Sequence, residues 1–253
     1  MDLLLKEKVF LVTAASRGLG YSVAKSLVEE GAKVTICSRN ESSLKSATDS
    51  LGTGAEYVVA DLKVHHDIER LLRLVREKHG HLNGLFVNAG GPPPGRFEDL
   101  SDQQWSSAFD LTLMSAVRLT RCALPLLRKA DSASILYSTS VSVKQPLDNL
   151  LLSNSLRTAV IGMMRTVADE FAPYGVRVNA VCPGYIRTAR VDELMAKTKG
   201  PSGEEHILSR IPLRRMGHPD EFGRVCAFLM SPLASYIHGA LLLIDGGLYR
   251  GLM

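Results

Sequence analysis

The run Val9-Phe10-Leu11-Val12-Thr13-Ala14-Ala15-Ser16-Arg17-Gly18-Leu19-Gly20 decides how the rest of the chain is read. An apolar stretch ends in small residues and two glycines, and beyond it Val23, Ala24, Leu27 and Val28 recur at helical spacing until Gly31 stops the helix. The pattern is strand, tight turn, helix. Such a turn gathers backbone N–H groups and the positive end of a helix dipole at one point, which suits a pyrophosphate. A dinucleotide fingerprint carries three glycines, and here the first of them is Ala14. The match is therefore incomplete, and a strand running into a glycine turn occurs in α/β proteins of many functions.

Beyond Gly31 the same alternation continues. Lys33-Val34-Thr35-Ile36-Cys37 is a second β-rich run, and Asn40 can cap a helix reaching Leu51. Glu56-Tyr57-Val58-Val59-Ala60 is a third strand, ending at Asp61; Ile68, Leu71, Leu72 and Val75 then share one helical face. Leu85-Phe86-Val87 runs into Asn88-Ala89-Gly90-Gly91 as a fourth strand. A long helical region over 101–128 precedes a fifth strand, Ala133-Ser134-Ile135-Leu136-Tyr137, which ends at Ser138-Thr139-Ser140. A helix over 150–172 and a sixth strand, Val176-Arg177-Val178-Asn179-Ala180-Val181, extend the pattern, and Leu241-Leu242-Leu243-Ile244 closes it after a short helix. Strands alternating with helices at this spacing imply βαβ units, hence an α/β fold with a single Rossmann-type, doubly wound parallel sheet in one domain over 1–253. The alternation breaks over 183–219, so residues 185–218 are expected to form a lid or substrate loop. Gly91-Pro92-Pro93-Pro94-Gly95 reads either as a rigid connection or as a pocket wall, because ligands of open α/β sheets sit beyond the carboxyl ends of strands.

Composition narrows the function classes. Forty-five per cent hydrophobic residues supply a large core, and a net charge of +4 is dispersed without a run resembling a nucleic-acid patch. Cys37, Cys122, Cys182 and Cys226 are far apart, form no metal-spaced pair and read as reduced thiols. No histidine cluster has ligand spacing; His65-His66 most simply opens a surface helix. The opening Met1-Asp2-Leu3-Leu4-Leu5-Lys6 is short and charged for a signal peptide, and no apolar stretch approaches bilayer length. The expectation is a soluble, cytoplasmic protein with no metal and no nucleic-acid or membrane partner.

With these landmarks in place, the chain resembles the short-chain dehydrogenase/reductases, and is similar to the 3-oxoacyl-carrier-protein reductases, over nearly its whole length. The residues that carry the resemblance are Thr13 to Gly20, Asp61, Asn88-Ala89-Gly90, Ser140, Asn179, Pro183-Gly184 and Asp245-Gly246-Gly247. It implies a nicotinamide dinucleotide contacted by Thr13, Ala15, Ser16, Arg17, Gly18, Leu19 and Gly20 of the turn. It further implies contacts from Ser38, Arg39, Asp61, Leu62, Asn88, Ala89, Gly90, Arg157, Pro183, Gly184, Ile186 and Thr188. For Asp61 and Thr188 the plainer reading is a turn cap and the start of the lid. Cofactor choice can be argued from charge: an NAD site usually ends the second strand with a carboxylate for the ribose 2′-OH, whereas this strand ends with Ser38-Arg39, and Arg17 adds a second cation. Guanidinium groups bind a 2′-phosphate through parallel charge-assisted bonds, so NADP is expected, with NAD the alternative.

The resemblance fails where the chemistry should be. The family uses an Asn, a Ser, a Tyr and a Lys four residues after the Tyr; aligned on Ser140 and Ile161-Gly162, these positions hold Thr112, Ser140, Ser153 and Arg157. Shifting the alignment does not help, since 141–172 contains no tyrosine and no lysine after Lys144. A phenol of pKa about 10 can protonate a developing alkoxide when a cation lowers it, whereas a serine is a far weaker acid. Arginine keeps a positive charge but, with a pKa above about 12, does not relay protons. Ser153 and Arg157 are one helical turn apart, so they read equally as a repurposed pair or as a neutral remnant. Tyr185, Tyr137 and Lys144 are the candidate substitutes; Tyr137 is more simply a sheet residue and Lys144 a solvated loop charge.

The reading that results is an NADP-preferring oxidoreductase acting on a small carbonyl or alcohol, with Ser140, Ser153, Arg157 and Thr112 as catalytic candidates. The competing class is a dinucleotide-binding sensor or scaffold without turnover, and a structural oligomer binding no dinucleotide is the third. A homo-tetramer is expected from the resemblance and from Leu150, Leu151, Leu152, Val160, Met163 and Met164 together with an apolar carboxyl end, Leu248-Tyr249-Arg250-Gly251-Leu252-Met253.

Overall fold

In β1 (Val9–Thr13) successive side chains go to opposite faces, Val9 and Leu11 to one core, Phe10 and Val12 to the other. All five residues are buried, which is the condition of a parallel strand covered by helices on both sides. The computed structural model of the chain describes residues 2–196 and 203–252. Its elements run β1, α1 (Gly18–Glu29), β2 (Lys33–Ser38), α2 (Glu41–Leu51), β3 (Ala55–Val59), α3 (His65–His79), β4 (Gly84–Val87), α4 (Asp102–Phe109) and α5 (Ser115–Leu127). They continue β5 (Ala133–Ser138), α6 (Leu151–Phe171), β6 (Val176–Pro183), α7 (Ala189–Ala196), α8 (Gly203–Arg210), α9 (Pro219–Met230) and β7 (Leu241–Ile244).

The seven strands form one parallel sheet in the order β3-β2-β1-β4-β5-β6-β7, flanked by helices, which is the Rossmann-type α/β fold. Phe86, Leu136 and Val181 join Phe10 in the core under α1, α2 and α9. Leu85, Ile135 and Val178 join Leu11 in the core under α3, α5 and α6. Strand order reverses between β1 and β4, so the crevice beyond their carboxyl ends receives both Ala14–Gly20 and Asn88–Gly91. Asn40 caps α2 as its position suggests, its side chain accepting from the Ser43 N–H at 2.8 Å.

Three expectations change. The helical region over 101–128 is not uniform: α4 and α5 are joined by a π-helical turn, Asp110–Met114, that contains Thr112. The break over 183–219 carries α7 and α8, so it is not an irregular loop; residues 197–202 of the expected lid lie outside the described residues. The apolar residues of α6 are largely used within the chain itself, Leu152, Val160 and Met164 being buried in its cores. Leu248 and Tyr249 likewise join a cluster with Val141, Tyr185 and Ile211, which leaves Leu252 exposed. No helix among the described residues is long and apolar enough to cross a membrane.

Candidate functional site

The turn after β1 is built around a residue in an unfavourable conformation. Ala14 has φ +49°, the left-handed region that favours glycine. Its carbonyl accepts from Asn88 Nδ2 at 3.3 Å, and the same nitrogen reaches the Thr13 carbonyl at 3.3 Å. The Thr13 hydroxyl donates to the Asn88 carbonyl at 2.7 Å and accepts from the Asn88 N–H at 2.8 Å. Thr13 is fully buried, so it and the Asn88 side chain brace the turn from behind. Gly20 permits the close approach: a Cβ there would lie 2.6 Å from the Ala14 carbonyl oxygen. Ala15 is pinned by its N–H to the Cys37 carbonyl at 3.1 Å, and Leu19 packs into the α1 core. Ser16, Arg17 and Gly18 are left at the surface of the crevice, with no acidic residue in the first turn of α1 to oppose an anion.

Near the ends of β1 and β2, Arg17 and Arg39 are exposed and have no ion-pair partner among the described residues. Ser38, at the end of β2, holds a buried hydroxyl with no hydrogen-bond partner. An open groove of about 610 Å³ lies between α1 and α2, lined by Ser16, Arg17, Gly18, Tyr21, Ser42 and Ser46 among others. Asp61 follows β3 by two residues; its Oδ1 accepts from the Lys63 N–H at 3.0 Å and its own N–H donates to Asp67 at 2.8 Å. Here the turn-capping reading of Asp61 is realised, and Leu62 beside it is buried in the α3 core.

At the far end, Gly90 has open space where a side chain would stand, whereas a Cβ on Gly184 would meet Asp245 at 2.8 Å. Pro183 ends β6, and the Gly184 N–H donates to the Ile244 carbonyl at 3.0 Å, so this backbone is held by β7. Ile186 is buried and bridges to Gly217, so residues near the two ends of the segment between β6 and α9 meet. Thr188 faces Gly18 across the crevice, a Cβ on Gly18 standing 3.8 Å from its methyl group. The Thr188 hydroxyl also caps α7, accepting from the Val191 N–H at 3.4 Å. Asn179, a landmark of the resemblance, is structural: it ties β6 to the Ile237 carbonyl at 2.9 Å and the Ala240 N–H at 3.0 Å.

Of the four catalytic candidates, the structure brings Thr112 and Arg157 onto one small cavity. It measures about 10 Å³, room for a single water, and is lined also by Ala89, Ser115, Tyr137, Ser138 and Thr139. Thr112 is 6% exposed and its hydroxyl has no hydrogen-bond partner. The π-helical turn around it is a feature that collects at functional sites. Arg157 donates from one nitrogen to the Ser138 and Thr139 carbonyls, each at 3.1 Å, and no carboxylate pairs with it among the described residues. Burial, then the nearby charge of Arg190, brings its guanidinium down to about 10, so it remains a cation at neutral pH. Ser140 accepts from the Ser142 N–H at 3.1 Å, and Ser153 sits 9% exposed one turn before Arg157 on α6.

Both candidate tyrosines sit in surroundings that favour the neutral phenol. Tyr137 is wholly buried with its hydroxyl 2.6 Å from Thr120 Oγ1, and burial pushes its phenol upward. Tyr185 belongs to the apolar cluster under the lid, and burial raises it too. Lys144 lies 6.0 Å from the Tyr249 ring, so it is a loop charge resting beside the carboxyl-terminal tail.

One residue that sequence reasoning passes over joins the site. Arg190, on α7, donates to the Pro92 carbonyl at 2.9 Å, and a Cβ on Gly91 would stand 3.3 Å from its Nε. The proline loop is thus a wall: Arg190 touches one side of it, and Gly95 pairs with Leu150 on the other. Among the described residues no group of His, Cys, Asp and Glu side chains is arranged to hold a metal.

A family model described as enoyl-(acyl carrier protein) reductase matches residues 13–249. The chain is 31% identical over 248 residues to human dehydrogenase/reductase SDR family member 4, covering 96% of this chain and 88% of that protein. It is 31% identical over 247 residues to the oxidoreductase UcpA of Escherichia coli K12, covering 95% and 94%. Among solved structures it superposes on the NADPH-bound short chain oxidoreductase of Pseudomonas aeruginosa PAO1 containing an atypical catalytic center. The TM-score there is 0.90 at 28% identity, over 97% of this chain and 99% of that one. Matched along nearly its whole length by a family model and by relatives of this identity, the chain belongs to the short-chain dehydrogenase/reductase family of oxidoreductases.

Proposed function

We propose that the protein is an NADP-preferring oxidoreductase that moves a hydride to or from a small carbonyl or alcohol, at a site without the family's phenol and ammonium. The observation that carries the cofactor choice is the end of β2. A buried Ser38 hydroxyl lacks a partner there, next to exposed Arg39, and neither Arg39 nor the exposed Arg17 of the turn is tied to a carboxylate among the described residues. Those groups suit a phosphate on the ribose better than a free hydroxyl. The NADPH bound by the Pseudomonas oxidoreductase supports the same choice.

A bound reduced nicotinamide supplies the hydride. The protein's part is to bind and orient. Gly18 to Gly20 and the start of α1, beside Thr188, would hold the diphosphate, and Arg157, one of whose nitrogens is engaged by the Ser138 and Thr139 carbonyls, would offer its charge to the nicotinamide ribose. Ser140 and Ser153 offer hydroxyls to a substrate oxygen, and the proton that completes reduction comes from water, because a serine is too weak an acid to release it near neutral pH. The competing reading, a dinucleotide-binding protein without turnover, draws on one observation: the phenol that lines the cavity with Arg157, that of Tyr137, is hydrogen-bonded to Thr120.

A hydride assay over a panel of carbonyls and alcohols separates the two. Wild-type activity on simple ketones should be low, since acid–base help is worth about 10²–10⁴-fold. The triple variant Thr112→Asn, Ser153→Tyr, Arg157→Lys should recover part of it, and single changes little, because such groups act as a unit. Robust wild-type turnover abolished by Ser153→Ala would make Ser153 a dedicated functional group. No turnover in either protein, with NADPH bound, would favour the binding role.

A further inference from the structure

The hydroxyl of Thr112 is buried, has no hydrogen-bond partner and belongs to a residue that borders a cavity. Thr112 sits in the π turn Asp110–Met114, which packs on α6, and Arg157 of α6 borders the same cavity. Val87, Ala89, Ala116 and Val160 give this space apolar walls. Three hydroxyls around it are engaged elsewhere. Ser115 donates to the Leu111 carbonyl at 2.5 Å, Thr139 donates to the Val181 carbonyl at 3.0 Å, and Tyr137 pairs with Thr120 at 2.6 Å. Arg157 uses Nη1 for the Ser138 and Thr139 carbonyls, and among the described residues no hydrogen bond engages its Nη2 or Nε.

A buried hydroxyl without a partner is costly, and so is a guanidinium whose remaining donors face apolar side chains. The cavity of about 10 Å³ has room for one water molecule and for nothing larger. A water there meets the needs of both groups at once. It accepts from a free nitrogen of Arg157 and hydrogen-bonds the Thr112 hydroxyl, which can donate or accept.

We infer that one ordered water occupies this cavity and bridges the Thr112 hydroxyl to the Arg157 guanidinium, so that Thr112 is a positioning residue for Arg157. The bridge needs neither cofactor nor substrate, and it holds for an enzyme and for a binding protein alike. Arginine keeps its protons at neutral pH, so the water transmits position from the π turn to α6 and takes no part in proton transfer.

A crystal structure of the full chain tests the bridge directly. One density peak should lie within about 2.7–3.2 Å of both Thr112 Oγ1 and an Arg157 nitrogen. An empty cavity, or a peak that reaches only one of the two groups, overturns the inference. Thr112→Val, which keeps the shape and removes the hydroxyl, gives an independent sign. With the bridge present its Tm should fall by about 2–4 °C, because the water loses a partner. In a dry cavity the same change removes an unsatisfied group, so an unchanged or raised Tm counts against the bridge. Hydrogen exchange of the Arg157 side-chain N–H groups, followed by NMR, separates positioning from packing. Exchange should quicken about threefold or more in Thr112→Val, the size of one net hydrogen bond, and Thr112→Ser should return it to near the wild-type rate. Exchange that ignores Thr112→Val, or that Thr112→Ser does not rescue, removes the positioning role. Should Thr112→Val fail to fold, the wild-type density together with exchange in Thr112→Ser decides.

Discussion

Replacing Ala14 by glycine should stabilise the protein, although it removes a methyl group from a half-buried turn. Ala14 is held at φ +49°, where a Cβ crowds the following carbonyl at a cost of roughly 1–2 kcal/mol. Glycine relieves that strain but widens the unfolded ensemble, which takes back about 0.4–1 kcal/mol. The net gain is about 0.5–1 kcal/mol, or about 1–4 °C in Tm for a chain of this length. Asn88 supplies the other half of the reasoning, because its amide donates to the Thr13 and Ala14 carbonyls at 3.3 Å each and braces the strained turn. Asn88→Ala should therefore be less damaging in the A14G background than in wild type, with a coupling of about 0.5 kcal/mol or more. Thermal and urea unfolding of the four proteins in the cycle measure both quantities. A destabilised Ala14→Gly protein, or strict additivity with Asn88→Ala, would refute the view that this turn is strained and held by Asn88.

Arg39→Asp should shrink or reverse a preference for NADPH over NADH, by about tenfold or more in affinity, and equal wild-type affinities by calorimetry would end the NADP assignment. Arg157 has a folded value of about 10, well below that of the free group, so its charged form is disfavoured by the fold and that penalty fades as pH rises through about 10. Glu221 is held down to about 2 by Arg215, then by the His218 N–H, so its contribution is present above the ordinary carboxylate range and is lost only as pH falls toward 2. Glu221→Gln should thus narrow the gap between neutral and acid stability, by a small amount because the pair is exposed. Light scattering should report a homo-tetramer; with Leu152, Leu156 and Met164 of α6 buried within the chain, the surface left for it includes exposed Leu242 on the β7 edge, and a Leu242→Lys protein should dissociate.

The α/β alternation, the strand-turn-helix at Val9–Gly20 and the cap at Asn40 were legible from the sequence because each is set by neighbours a few residues away, through side-chain period, glycine placement and capping chemistry. That Thr112, Ser153 and Arg157 differ from the residues the family resemblance expects is likewise a statement about residue type, open to the sequence alone. The extra methyl at Ala14 was visible as an imperfect motif, but not the positive φ, which exists because Asn88, 74 residues away, and the glycine at position 20 hold the turn. Periodicity alone ran the region over 101–128 as one helix, and the π turn at Thr112 within it is known from the folded backbone. Apolar residues on α6 looked like spare surface because a helical face does not say which neighbour covers it; here the chain's own cores do. Arg190 carried no signal at all. Its meeting with Pro92 spans 98 residues, and only the folded chain brings the two together. Residue types and local spacing decide which elements form; which charges face one another depends on contacts between distant segments, and those exist only once the sheet has assembled.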